Sequence, residues 1–277
     1  MSFKEKIEDY LIQTYQLEIN SNIRFHPVRI VESMKSLIGI EPQNPNSLIL
    51  NYFPVYLNDF KVKSKTDSEI EQVEYFASMI NLELLLKENK FEESRAEIKR
   101  LLQVSTGEPI LELLLLIYLK EVVILPNLLS IYRSVKFCNG REVKEAILLM
   151  VELIMEYQNL SPSLDKIHFL DYSTSLIEIS QNSFIRDLEI KSVLQEIDYD
   201  NIYSKIRFNG ETELGIELIN SGRNQILEVI NKYPELIENN KNIILLDSIR
   251  TILRFRTTGE YDNQLHFAVN ELEGISG

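Results

Sequence analysis

Three histidines and one cysteine are the side chains in this sequence best suited to acid–base, nucleophilic or metal chemistry. A zinc site takes several histidine, cysteine or carboxylate ligands at tight spacing, as in His-Glu-x-x-His. The histidines His26, His168 and His266 stand far apart, and general-base catalysis also needs a positioned partner that the sequence does not identify. We therefore expect each histidine to be structural.

Cys138 stands among basic residues, at a position that the pattern places at the entrance to a loop. Neighbouring cations can lower the pKa of a thiol, so a reactive cysteine is one interpretation. A small residue packed beside Phe137 is the other interpretation. No phosphate-binding glycine loop, Gly-x-Ser-x-Gly turn or Glu-x-x-His pair occurs in the sequence. We expect no catalytic residue, no metal site and no cofactor.

Two groups of basic residues are the candidate binding sites. Arg250 and Arg254 are four residues apart, which places them on one face of a helix, and Arg256 follows. The second group contains Arg133, Lys136 and Arg141. Each group could dock an acidic or phosphorylated partner. Each could equally be an ordinary solvated surface held in salt bridges.

The composition limits the classes of partner. The 277 residues carry a formal net charge of -13, and this negative field repels phosphate backbones and anionic lipids. We expect no nucleic acid and no membrane as partner. The apolar stretch 110–132 is interrupted by charges and by Pro126, which favours two buried helices over a membrane span. One cysteine and a charged start without a signal-peptide core favour the cytoplasm.

The candidate histidines, cysteine and basic residues are predicted to be held by helices. Glycine and proline are scarce, and apolar residues recur every three or four positions. The clearest pair spans residues 68–102, with a turn at Asn89. The predicted apolar stripe before the turn is Ile70, Val73, Ala77, Ile80 and Leu84. The predicted stripe after it is Phe91, Ser94, Ile98 and Leu101.

Local signals mark other helices and one boundary. Ser2 with Glu5 is a capping box for a first helix, and Pro27 suits the first turn of a second helix. One face of the first helix is predicted to carry Phe3, Ile7, Tyr10, Leu11 and Thr14. Residues 48–60 are predicted to form a helix kinked at Pro54, with a short extended segment as the alternative. Residues 61–67 are polar and typical of a linker. We predict an N-terminal helical cap at 1–62 and a helical-repeat body at 63–277, or one continuous domain.

Two turns resemble the turn between the paired helices of tetratricopeptide repeats. The segments 89–94 and 259–264 are similar to its pattern of a turn residue, a polar residue, an aromatic and an acid. Asn89 replaces the usual glycine in the first, and Gln264 replaces the small residue in the second. The family's tryptophan signature is absent. The resemblance implies an array of helix hairpins and transfers no binding residue.

Taken together, these patterns predict an all-α fold, a right-handed stack of antiparallel helix hairpins of the α-solenoid or tetratricopeptide-like kind with irregular repeats. The function predicted from them is a non-catalytic helical scaffold that binds a protein or peptide. The alternative is a regulatory or catalytic subunit whose active site is built from dispersed side chains. The oligomeric state stays open.

Overall fold

The structure, a computed structural model, describes residues 2–19, 23–63, 77–118, 124–160 and 224–255. These residues form ten α-helices, two short 3-10 turns and no strand beyond one isolated bridge, which confirms the all-α prediction for this part of the chain. The helices are α1 Phe3–Tyr15, α2 Pro27–Ile38, α3 Ser47–Leu57, α4 Met79–Lys87, α5 Phe91–Val104, α6 Glu108–Ile117, α7 Leu125–Phe137, α8 Val143–Leu160, α9 Asn224–Lys232 and α10 Asn240–Phe255.

The chain divides into two compact units. Unit 1 contains residues 1–29 and 57–166, and unit 2 contains residues 30–56 and 167–277. The chain passes from unit 1 to unit 2 within α2. The boundary predicted at residue 62 between an N-terminal cap and a helical-repeat body stays a prediction.

The first helix begins where its capping residues predict. The backbone N–H of Glu5 donates to Ser2 Oγ at 3.2 Å, and the backbone N–H of Ser2 donates to Glu5 Oε2 at 2.6 Å. This reciprocal pair satisfies donors that a helix start leaves open. Ile7, Leu11 and Tyr15 of α1 are buried, whereas Phe3 is exposed. Phe3 is exposed because it lies in the first turn of α1.

The core of unit 1 is built around α6, α7 and α8. Ile147, Met150 and Ile154 recur at intervals of three and four along α8 and have no exposed surface. Leu114 of α6 and Leu128 of α7 are equally enclosed. A long helix with a wide apolar face can pack against several neighbours, and α8 contacts α1, α5, α6 and α7.

The helix pair α4–α5 confirms the predicted turn and corrects one predicted face. Asn89 adopts a left-handed backbone with φ of 57°, and α5 begins two residues later at Phe91. Ser94, Ile98 and Leu101 are buried, as expected, while Phe91 is half-buried. On α4 the buried residues are Leu82 and Leu86. Ile80 and Leu84 point away from them, and Ile70 and Val73 lie outside the described residues.

A short bridge ties residues 61–63 back to the end of α1. The Glu18 N–H donates to Lys61 O at 2.9 Å, and the Lys63 N–H donates to Gln16 O at 2.7 Å, on either side of an antiparallel bridge between Leu17 and Val62. The first residues of the predicted linker 61–67 are therefore held by backbone hydrogen bonds. The rest of that segment lies outside the described residues.

Unit 2 contains the helix predicted around Pro54. Helix α3 runs through this proline, and Asn46 Oδ1 caps its start by accepting from the backbone N–H groups of Leu48 and Ile49. The Asn46 amide also donates to Asn231 Oδ1 of α9 at 2.8 Å. Phe53, Ile230 and Ile243 have no exposed surface, so α3, α9 and α10 each contribute to the core of this unit.

None of the helices that the structure describes combines the length and apolar character needed to cross a bilayer.

Candidate functional site

The predicted basic group at Arg133, Lys136 and Arg141 lies at the end of α7 and in the turn that follows. Arg141 Nη1 lies 2.9 Å from Glu8 Oε2, and its Nη2 lies 3.1 Å from Asp9 Oδ1. Hydrogen bonds to Asp9 and Glu8 raise the pKa of Arg141. Half of the arginine side chain stays exposed, so it is both paired and accessible.

Lys136 is similarly paired. Its ammonium forms an ion pair with Glu108 of α6 and lies 5.5 Å from the centre of the Tyr132 ring. Arg133, one turn earlier, is half-buried. Acidic residues of α1 and α6 therefore offset part of this group's charge. A docking role for the group stays a prediction.

The second predicted basic group is placed differently. Arg250 of α10 is only 7% exposed, and its Nε donates to Asp247 Oδ1 at 2.8 Å. Arg254 lies in the last turn of the same helix, and Arg256 lies outside the described residues. Arg250 is thus part of the interior of unit 2, because a buried guanidinium needs its carboxylate partner. The docking role predicted for this group is untested.

The surface of α4 carries two large apolar side chains four residues apart. Ile80 is 72% exposed and Leu84 is 54% exposed, so both lie on the solvent side of the helix. We call this pair the α4 face. Val104, the last residue of α5, is also exposed, at 78%. Single exposed apolar residues are ordinary on proteins, whereas Ile80 and Leu84 are neighbours on one face of a helix.

A row of polar residues on α7 is buried against the N-terminal segment. Asn127, Ser134 and Cys138 share one face of α7, and we call them the α7 polar row. Ser134 Oγ donates to Ile131 O at 2.7 Å, so the hydroxyl of Tyr15 must be the donor in its 2.7 Å contact with Ser134 Oγ. Burial raises the pKa of Tyr15, which keeps this donor protonated.

The two ends of the α7 polar row contact different parts of the same segment. Asn127 Nδ2 donates to Ile23 O at 2.6 Å, before α2 begins. Cys138 Sγ lies 3.9 Å from Glu8 O, in the middle of α1. The row therefore fixes the register in which the N-terminal segment packs on α7.

His26 is enclosed next to this row. Its side chain has no exposed surface, and its Nδ1 accepts from the Val28 N–H at 3.3 Å at the start of α2. Burial, followed by the positive charge of Lys63, lowers the pKa of His26 to about 3. Lys63 is itself paired with Glu152 of α8. The structural interpretation of His26 fits this geometry, because solvent does not reach the ring. His168 and His266 lie outside the described residues.

Cys138 is buried and not in a disulfide. A reactive thiol needs exposure as well as neighbouring cations, so the burial favours the packing interpretation. Within the described part of the chain, no three histidine, cysteine or acidic residues come close enough to hold a metal ion.

The α7 polar row was missed by the sequence analysis. The signal was present, because Asn127, Ser134 and Cys138 recur at intervals of seven and four in a helix that is otherwise largely apolar. A polar stripe on such a helix is typical of a solvated face, and nothing local shows that it meets Tyr15 and Ile23 instead.

No protein-family model matches the chain, and neither a curated protein nor a solved structure matches it.

Proposed function

We propose that this protein is a non-catalytic helical scaffold that binds a protein or peptide, and that the α4 face is its apolar contact. The observation that supports this proposal is the exposure of Ile80 and Leu84 on one side of α4, opposite the buried Leu82 and Leu86. Burying an exposed leucine or isoleucine yields about 1.5–3 kcal/mol. Two such residues on one helix face can therefore anchor a partner.

An apolar helical segment is the kind of partner that suits this surface. A helix with large apolar side chains at positions i and i+4 can pack against a second helix through those side chains. Ion pairs flank the α4 face, since Lys87 pairs with Glu83 and Lys90 lies 2.7 Å from Glu88. The surface is thus an apolar centre with a charged rim, which is the usual anatomy of a protein interface.

The larger arrangement that we propose is a stack of helix hairpins, similar to tetratricopeptide arrays. Its support is that helices consecutive in the chain pack on one another: α4 on α5, α6 on α7 and α7 on α8. Such stacks present helix faces to partners along their length. The half-exposed cations Lys136 and Arg141 are the proposed second contact, for an acidic part of the partner.

The test measures how partner capture depends on the α4 face. The intact chain is immobilised, and the proteins retained from an extract of the native host are quantified. We expect the extract to contain a protein that the wild type retains. The variant Ile80→Ser/Leu84→Ser should bind that protein at least about tenfold more weakly, a change of about 1.4 kcal/mol. Val104→Ser is the matched control, because it removes an equally exposed apolar side chain elsewhere and should leave capture unchanged.

A further variant, Lys136→Gln/Arg141→Gln, tests the second contact. Capture by this variant should weaken, and the effect should shrink as salt rises. Every variant is first checked for unchanged thermal stability. Equal capture by the wild type and by Ile80→Ser/Leu84→Ser would overturn the role of the α4 face.

A further inference from the structure

Among the buried side-chain polar atoms that have no hydrogen-bond partner in the described residues, two complement each other. They are Nε2 of His26 and Oδ1 of Asn127, and both side chains have no exposed surface. Both residues also bond the same peptide group, because Ile23 O accepts from Asn127 Nδ2 at 2.6 Å and from the His26 backbone N–H at 3.2 Å. The His26 backbone and the Asn127 amide therefore meet at one carbonyl in unit 1, which places the two residues side by side.

The hydrogen bonds already made fix the character of each open atom. Nδ1 of the neutral His26 ring accepts from Val28, so the ring proton resides on Nε2, which is a donor. The Asn127 amide donates to Ile23 through Nδ2, so the atom left over is the acceptor Oδ1. No direct bond joins the two, since each lacks a partner.

We propose that one buried water molecule is a built-in part of unit 1, accepting a hydrogen bond from His26 Nε2–H and donating one to Asn127 Oδ1. Buried polar groups in folded proteins are nearly always paired, and internal water commonly pairs those that other protein groups do not reach. A ligand here must accept on one side and donate on the other. An ammonium or metal cation cannot accept from Nε2–H, and an ionised carboxylate cannot donate to Oδ1.

This water completes the contact between the N-terminal segment and α7. The α7 polar row reaches Tyr15 and Glu8 directly, through Ser134 and Cys138. At its other end, Asn127 reaches the Ile23 carbonyl directly and the His26 ring through the water. The water thereby links the start of α2 to α7, two helices that belong to distant parts of the sequence.

A crystal structure of the intact wild-type chain at atomic resolution tests the proposal. We expect one ordered solvent peak within about 3.2 Å of both His26 Nε2 and Asn127 Oδ1. A direct bond between the two side chains, or two unbonded atoms with no peak between them, would overturn it. In solution, the carbon-bound ring hydrogens of His26 should show magnetisation transfer from a long-lived water.

A pair of variants separates this water from general solvent in the structure. His26→Phe keeps a ring of similar size and removes the Nε2–H donor, so the peak should disappear. Ser134→Ala changes the same face of α7 two turns away and should leave the peak in place. Persistence of the peak in His26→Phe would contradict the proposal. If His26→Phe does not fold, the measurements on the wild type decide the question.

Discussion

Two helix contacts of unit 1 are built in opposite ways. The contact between α1 and α7 buries hydrogen-bonding groups, since Tyr15 meets Ser134 and Cys138 lies against the backbone of Glu8. The pair α4–α5 instead leaves large apolar side chains in solvent at Ile80 and Leu84. Polar residues are thus inside and apolar residues outside in the same unit, which reverses the usual distribution at both places.

The periodicity of a helix shows where its apolar and polar stripes lie. The helices packed against it decide which of these stripes is buried. Helix α4 has apolar residues on two sides, so either side could pack. Leu82 and Leu86 are buried on a helix that packs against α5 and α6, whereas Ile80 and Leu84 on the other side are exposed. On α7, a polar row becomes interior because the N-terminal segment offers it the Tyr15 hydroxyl and the backbone carbonyls of Glu8 and Ile23.

The largest expected change in the free energy of unfolding lies within α4, and it tests whether the two sides of this helix differ in packing. Leu82→Ala should lower the free energy of unfolding by about 2–5 kcal/mol, because it leaves a cavity at a fully enclosed site. Leu84→Ala is the matched control on the same helix and should cost under about 0.5 kcal/mol. Urea unfolding of the intact chain, followed by circular dichroism, measures both. Equal costs would mean that Leu84 is packed.

The next effect concerns the buried hydrogen bond between α1 and α7. Ser134→Ala leaves the Tyr15 hydroxyl buried without an acceptor and should cost about 1–3 kcal/mol. Tyr15→Phe removes only the donor, while Ser134 keeps its bond to Ile131, so this change should cost about 0.5–1.5 kcal/mol. The same unfolding experiment compares them. A larger cost for Tyr15→Phe than for Ser134→Ala would contradict the assigned direction of the bond.

The smallest effect is the pH dependence contributed by His26. Its pKa in the folded chain is about 3, below the ordinary 6.5, because burial and then the charge of Lys63 disfavour the protonated ring. Between these two values only the unfolded chain binds the proton. The stabilising contribution of neutral His26 is therefore complete above pH 6.5 and is lost progressively as the pH falls towards 3.

The measurement is the free energy of unfolding at pH 6 and pH 5. His26 should contribute a loss of about 1 kcal/mol over this interval, below the limit of about 1.4 kcal/mol per pH unit. His26→Gln is the control and should lack this part of the pH dependence. An identical pH dependence in the wild type and His26→Gln would show that His26 takes up protons equally in the folded and unfolded chain.

The features that sequence analysis predicted correctly depend on neighbouring residues in the chain. Local residue types and spacing predicted the capping box of Ser2 and Glu5, the proline that opens α2 and the turn at Asn89. The stripe of α5 at Ser94, Ile98 and Leu101 was predicted as well, because this helix has one dominant apolar face.

The features that were missed depend on contacts between distant residues. The α7 polar row meets residues more than one hundred positions away, and no local pattern gives that pairing. Arg250 has the same charge whether exposed or buried, and the sequence could not show that it lies inside unit 2 beside Asp247. The exposed pair Ile80 and Leu84, now the proposed contact, was predicted to be core for the same reason.

The bridge between Leu17 and Val62 has a consequence for how the chain could be divided. It holds together two points 45 residues apart, and every residue of the turn at 41–44 between them is exposed. A protease that cleaves a peptide bond in this turn would divide the chain into two pieces, one with α1 and α2 and one with the remaining helices. The two pieces would still be joined by the backbone bonds at 16–18 and 61–63 and by the packing of α1 on α7 and α8. The protein is therefore suited to being made as two complementing fragments with its new ends in that turn.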